Sequence, residues 1–131
     1  MARRIVIDLD GTLTLDVAGV AYPDKPPNLP VIAALRRYRE AGFEIVVMTA
    51  RNMRTHAANI GRINALTLPG VIAWLDRHGV PYDEIHVGKP WCGTEGFYVD
   101  DRAVRPSELL AHDHAGLLRL LAREAEGMVE A

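Results

Sequence analysis

One stretch of this chain constrains its fold more than any other. The β-branched run Ile5-Val6-Ile7 ends directly in Asp8-Leu9-Asp10-Gly11-Thr12. A continuous apolar run of this length reads as a buried strand, and acids at its end fall at the carboxyl edge of a sheet. Open α/β folds build their ligand sites along that edge. Residues i and i+2 of an extended strand share a face, so Asp8 and Asp10 are expected to project together, or nearly so if the chain turns at Gly11. Two close carboxylates repel, and a cation or a shared proton relieves that repulsion. The tetrapeptide alone also reads as a strand end followed by an ordinary Asp/Gly turn.

The remainder of the chain alternates strand and helix signals. Strands are expected over Arg3–Asp8, Phe43–Thr49, Glu84–Val87 and Gly96–Asp100. Helices are expected over Leu29–Ala41, Thr55–Leu66, Pro69–His78 and Ala115–Glu126, the last with Leu117, Leu118, Leu120 and Leu121 on a broad apolar face. Pro30 suits a first helical turn, and Gly42 and Gly79 suit helix ends. This alternation implies right-handed crossovers and a doubly wound, mostly parallel sheet of the α/β class. The 131 residues suffice for a single domain, residues 1–131, with a real core. The irregular stretch Leu15–Asn28 carries Gly19, Pro23, Pro26 and Pro27 directly after the carboxylates, where it serves either as a flap or as a plain surface loop.

Charge and cysteine content narrow the setting. Fifteen Lys and Arg against 17 Asp and Glu leave a net charge of −2, which lacks the basic excess of a nucleic-acid or membrane-surface binder. The single cysteine, Cys92, excludes an internal disulfide framework and fits a reducing, cytoplasmic environment. The apolar run after Met1-Ala2-Arg3-Arg4 is too short for a signal h-region, and no segment reaches transmembrane length.

Every expected strand leads into a chemically distinct group. The second leads into Thr49-Ala50-Arg51, the third into Gly88-Lys89-Pro90, and the fourth into Asp100-Asp101-Arg102. A parallel sheet places all these ends on one edge. Asp8, Asp10, Thr49, Lys89 and Asp100 or Asp101 are therefore expected to converge. Several carboxylates form a hard-oxygen site suited to Mg²⁺, which keeps waters and bridges to phosphate. A hydroxyl and an ammonium beside them bind the remaining phosphate oxygens.

With these motifs in this order, the chain resembles the haloacid dehalogenase superfamily over its whole length. Asp8-Leu9-Asp10-Gly11-Thr12 is similar to the first motif, and Thr49, Lys89 and Asp100-Asp101 to the second, third and fourth. Thr49–Thr55, Val87–Gly93 and Tyr98–Pro106 further resemble the small bacterial phosphatases of capsular polysaccharide synthesis. The resemblance implies a three-layer Rossmann-like fold and a Mg²⁺-dependent phosphomonoesterase acting on a sugar phosphate through an aspartyl-phosphate. It makes Asp8 the nucleophile and Asp10 the acid/base. The metal falls to Asp8, the Asp10 carbonyl and Asp100 or Asp101, and the phosphoryl group to Thr49, Ala50, Arg51 and Lys89.

Superfamily members often insert a cap after the first or second motif. The gaps from Asp10 to Thr49 and from Thr49 to Lys89 hold only the helices the sheet needs, so the chain reads as capless. An open site implies either a neighbouring subunit over it, in a homo-oligomer, or a large substrate. Arg51, Arg54, His56, Trp91, Cys92, Arg102 and Arg105 are candidate substrate readers, each also explicable as surface charge or wall packing. His112 and His114 around Asp113 read as a capping region rather than a second metal site. Two other functions fit the motifs. One is a phosphatase for a macromolecular, polynucleotide or protein, phosphate. The other is a receiver-type phosphoacceptor domain, against which stands the lack of an Asp where the third strand leads into Lys89.

Overall fold

The computed structural model describes residues 3–130, with side chains through residue 127. The chain divides into two compact units, Met1–Trp91 and Cys92–Ala131.

The first unit carries a three-stranded parallel sheet in the order β1 (Arg4–Asp8), β2 (Glu44–Met48), β3 (Glu84–His86). β1 pairs with β2 from Arg4 opposite Glu44 to Asp8 opposite Met48, and β2 with β3 from Val46 opposite Glu84 to Met48 opposite His86. The strands therefore finish level, as sequential parallel strands joined by helices must if they share one edge. Helix α1 (Leu29–Glu40) joins β1 to β2, and helices α2 (Ile60–Leu66) and α3 (Leu68–Arg77) join β2 to β3. Ile45, Val46 and Val47 of the central strand are buried with Val31, Leu35, Val71 and Trp74 from the helices. Asp83 locks β3 to β2: its amide donates to the Ile45 carbonyl at 2.7 Å, and its Oδ2 accepts the Ile45 amide at 2.8 Å.

Two expectations change. Among the described residues, 96–100 form no strand, so the sheet has three strands here and not the expected fourth. Phe97 is 80% and Val99 89% exposed: an apolar run has strand character but forms a strand only where an edge accepts it. The helix expected from Thr55 begins at Ile60. Asn52, Ala57 and Ala58 lie at φ of 61°, 49° and 61°, left-handed values that interrupt a helix. Asn59 then caps α2, its Oδ1 accepting the Arg62 amide at 3.1 Å.

The second unit holds α4 (Pro106–Ala111), not expected from the sequence, and α5 (His114–Glu130). Asp113 accepts the Gly116 amide at 2.8 Å, as the capping reading of this stretch requires. Leu117 of the expected apolar face is buried, whereas Leu118 is exposed. Among the described residues, no helix is long and apolar enough to cross a membrane.

Candidate active site

The site of the first unit begins where β1 stops. After Asp8 the chain enters a wide turn over Leu9–Leu13, closed by the Thr14 amide donating to the Leu9 carbonyl at 3.0 Å. Gly11 sits at φ +80°, and a Cβ there would lie 3.1 Å from Asp16 Oδ2, so this turn favours glycine. Its amide donates to Thr14 Oγ1 at 3.1 Å. Leu9 and Leu13 are fully buried and anchor both ends of the turn. Asp8, just before the turn, and Asp10, within it, are thereby presented at the sheet edge, partly exposed.

Asp8 and Asp10 have different surroundings. Lys89 Nζ stands 3.4 Å from Asp8 Oδ1, and Thr12 Oγ1 lies 3.5 Å from Asp8 Oδ2. Burial pushes the Asp8 carboxyl above its ordinary range, and the Lys89 ammonium opposes that shift without cancelling it. Asp10 is gripped by Arg51, whose Nη2 donates to Oδ1 at 2.8 Å and whose Nε donates to Oδ2 at 3.1 Å. Lys25 Nζ adds a third contact, 3.3 Å from Oδ1. The Arg51 side chain is only 4% exposed, so this pair works in a poorly screened setting.

The ends of β2 and β3 supply the other expected groups. Thr49 is buried and its Oγ1 accepts the Arg51 amide at 3.0 Å, turning the chain so that Arg51 faces Asp10. The Lys89 amide donates to the Thr49 carbonyl at 3.1 Å, which ties these two segments together. Gly88 precedes Lys89 at φ +86°, where a Cβ would sit 2.5 Å from Ile60 Cδ1. Asp8, Asp10, Thr49, Arg51 and Lys89 are thus joined by direct contacts, with Ala50 between two of them.

Arg54 lies 5.9 Å above the Trp91 ring, so these two candidate readers partner each other. Asp100 and Asp101 belong to the second unit. Asp100 Oδ1 accepts the Arg102 amide at 2.7 Å, and both acids border a cleft of about 370 Å³ with Glu108, Leu120 and Arg123. Among the described residues, no cluster of three or more His, Cys, Asp or Glu side chains stands ready to hold a metal. Mg²⁺ needs less than such a cluster, one or two carboxylates with waters and substrate oxygens, and Asp8 offers an accessible carboxylate of that kind.

Sequence reasoning missed Tyr22 and Lys25. Both lie in the irregular 15–28 stretch, where the Tyr22 ring covers the Arg51 guanidinium at 4.2 Å and Lys25 reaches Asp10. The only signal was that a long loop follows the carboxylates.

The fold and the site define an α/β protein with an acid–lysine pair and an acid–arginine pair at the carboxyl edge of a parallel sheet. A Vibrio cholerae protein of known crystal structure is 53% identical, with a TM-score of 0.88 over 93% of this chain and 98% of that one. The chain belongs to the same family as that protein. A D,D-heptose 1,7-bisphosphate phosphatase from B. bronchiseptica, crystallised with magnesium and phosphate, is 20% identical. Its TM-score is 0.46 over 95% of this chain and 64% of its own length. No protein-family model and no curated protein matches the chain.

Proposed function

We propose that this protein is a Mg²⁺-dependent phosphomonoesterase of the haloacid dehalogenase type, working through an aspartyl-phosphate. The observation that carries the proposal is the contrast between the two acids. Asp8 has an accessible carboxylate beside one ammonium, whereas Asp10, two residues on, is oriented through both oxygens by Arg51. A nucleophile needs an oxygen that substrate can reach, and an acid/base needs a fixed orientation.

In the first displacement an Asp8 oxygen bonds to phosphorus as the bond to the leaving oxygen breaks, and Asp10, entering the step as the carboxylic acid, gives its proton to that oxygen and becomes the carboxylate. In the second, Asp10 takes a proton from water, the water oxygen bonds to phosphorus, and the bond to Asp8 breaks. Inorganic phosphate leaves and both carboxyl groups return to their starting forms. Lys89 and the Thr49–Arg51 segment balance charge on the phosphoryl oxygens. Asp8 and the Asp10 backbone carbonyl are the groups of the first unit that would hold Mg²⁺, which supplies Lewis-acid stabilisation of phosphoryl charge when bound.

A sugar phosphate in surface-polysaccharide precursor synthesis is the proposed substrate, on the resemblance to the capsule phosphatases. Cytoplasmic action and a homo-oligomer covering the open site belong to the same reading. The test is phosphate release from phosphorylated hexoses, heptoses, pentoses and ulosonic acids, with and without Mg²⁺. Metal-dependent turnover by the wild type and none by Asp8→Asn is expected. An Asp8→Asn protein that hydrolyses at the wild-type rate would refute the proposal.

A further inference from the structure

We infer that Tyr22 and Lys25 are positioning residues for the Asp10 carboxylate, held in place by α3. This rests on the reading of Asp10 as the acid/base. The Arg51 guanidinium carbon lies over the Tyr22 ring, 4.2 Å from its centroid, and Lys25 Nζ lies 4.9 Å from the same centroid. A guanidinium donates only in its own plane, so a ring packed against it restricts the direction in which its fork points. That fork meets both oxygens of Asp10. Lys25 Nζ lies 3.3 Å from Asp10 Oδ1, the oxygen that also takes Arg51 Nη2, and 3.5 Å from Asp16 Oδ1.

These two side chains are fixed because their backbone is. Tyr22–Asp24 forms a single tight turn, with the Lys25 amide donating to the Tyr22 carbonyl at 3.3 Å. Trp74 Nε1 donates to the Lys25 carbonyl at 2.9 Å, and Arg77 Nη1 to the Pro23 carbonyl at 3.1 Å. Both donors come from α3, and the Trp74 ring is buried in the core. The Leu15 amide donates to the Pro26 carbonyl at 2.9 Å and closes the base of the loop. A residue on a helix remote in sequence thus sets the orientation of Asp10 through two loop side chains.

The test compares Tyr22→Leu, Tyr22→Phe, Lys25→Met and Trp74→Phe with wild type. Trp74→Phe deletes the donor and leaves a smaller aromatic ring in the core. Misplacing a catalytic group by about 1 Å costs up to about 100-fold, so Tyr22→Leu and Lys25→Met are expected to lose about 10- to 100-fold in kcat with little change in KM. Tyr22→Phe, which keeps the ring face, restores kcat. A second measurement needs no turnover: the Arg51 Nε–H proton, followed by NMR, exchanges slowly in wild type and Tyr22→Phe, and fast in Tyr22→Leu and Trp74→Phe. Unaltered exchange in both fast-exchange variants overturns the inference whatever the enzyme's activity. A loss confined to KM overturns it too, because it would make these residues substrate binders. Slow exchange in wild type without any phosphatase activity would leave the positioning intact and remove the catalytic reading of Asp10.

Discussion

Arg51 and Asp10, 41 positions apart, form a two-point pair with contacts of 2.8 and 3.1 Å at the carboxyl edge of the sheet. Replacing Arg51 leaves the Asp10 carboxylate without its principal donor. Arg51→Ala is expected to cost about 2 kcal/mol of stability, the usual worth of hydrogen bonds to a charged group. Arg51→Lys keeps the charge but not the fork, and recovers only part of that loss. Urea denaturation of the three proteins measures the difference.

Asp8 gives a pH signature. Its carboxyl is raised in the fold, so its ionisation opposes folding. That contribution favours the native state below the ordinary value of 3.8 and is lost as pH rises through the higher folded value. Metal-free Asp8→Asn is therefore expected to melt above wild type at pH 7, with the gap closing as pH falls below 3.8. Calorimetric scans across pH in chelator test this, and the same variant is expected to lose all turnover.

Asp10→Asn retains the shape of the acid/base but cannot move its proton. Turnover is expected to fall by about 10²- to 10⁴-fold, the range of general acid–base catalysis. Steady-state kinetics on whichever ester the wild type prefers reads the loss.

Chelation is expected to abolish phosphate release, and Mg²⁺ to restore it. Because ligand binding to the native state alone stabilises it, millimolar Mg²⁺ is also expected to raise the melting temperature of wild type more than that of Asp8→Ala. Thermal melts with and without the ion separate the two proteins.

Asp83 responds to pH in the opposite sense to Asp8. The Ile45 amide on its Oδ2, helped by Arg39 at 2.6 Å, holds its carboxyl below the ordinary value of 3.8. Its contribution is present above that value and disappears as pH falls through the lower folded one. Asp83→Ala is expected to melt below wild type at pH 7, by a margin that narrows on acidification, as melts at both pH values would register.

The legible parts of this fold are those where local pattern and burial agree. Buried parallel strands carry few polar residues, so β1 and β2 stand out as apolar runs ending in chemically active groups. Helix α1 is legible from Pro30 at its start and Gly42 after it, the latter at φ +97°. Residues 55–59 mislead because alanine favours helix. A tertiary contact, Thr67 Oγ1 donating to Asn52 Oδ1 at 2.7 Å, accompanies the non-helical path there. Residues 96–100 mislead for another reason: strand character is local, but strand formation needs a partner edge.

By itself the sequence determined which segments end in an acid, a hydroxyl or an ammonium, and that β1 and β2 lie in one parallel sheet, because hydrophobic period and residue chemistry are written along the chain. The tertiary structure alone decided that Arg51 takes both oxygens of Asp10 and that a proline-rich loop, fastened by Trp74, delivers Tyr22 and Lys25 to that pair. Those contacts depend on where a loop without periodicity returns to the core, and nothing in residue order encodes that distance.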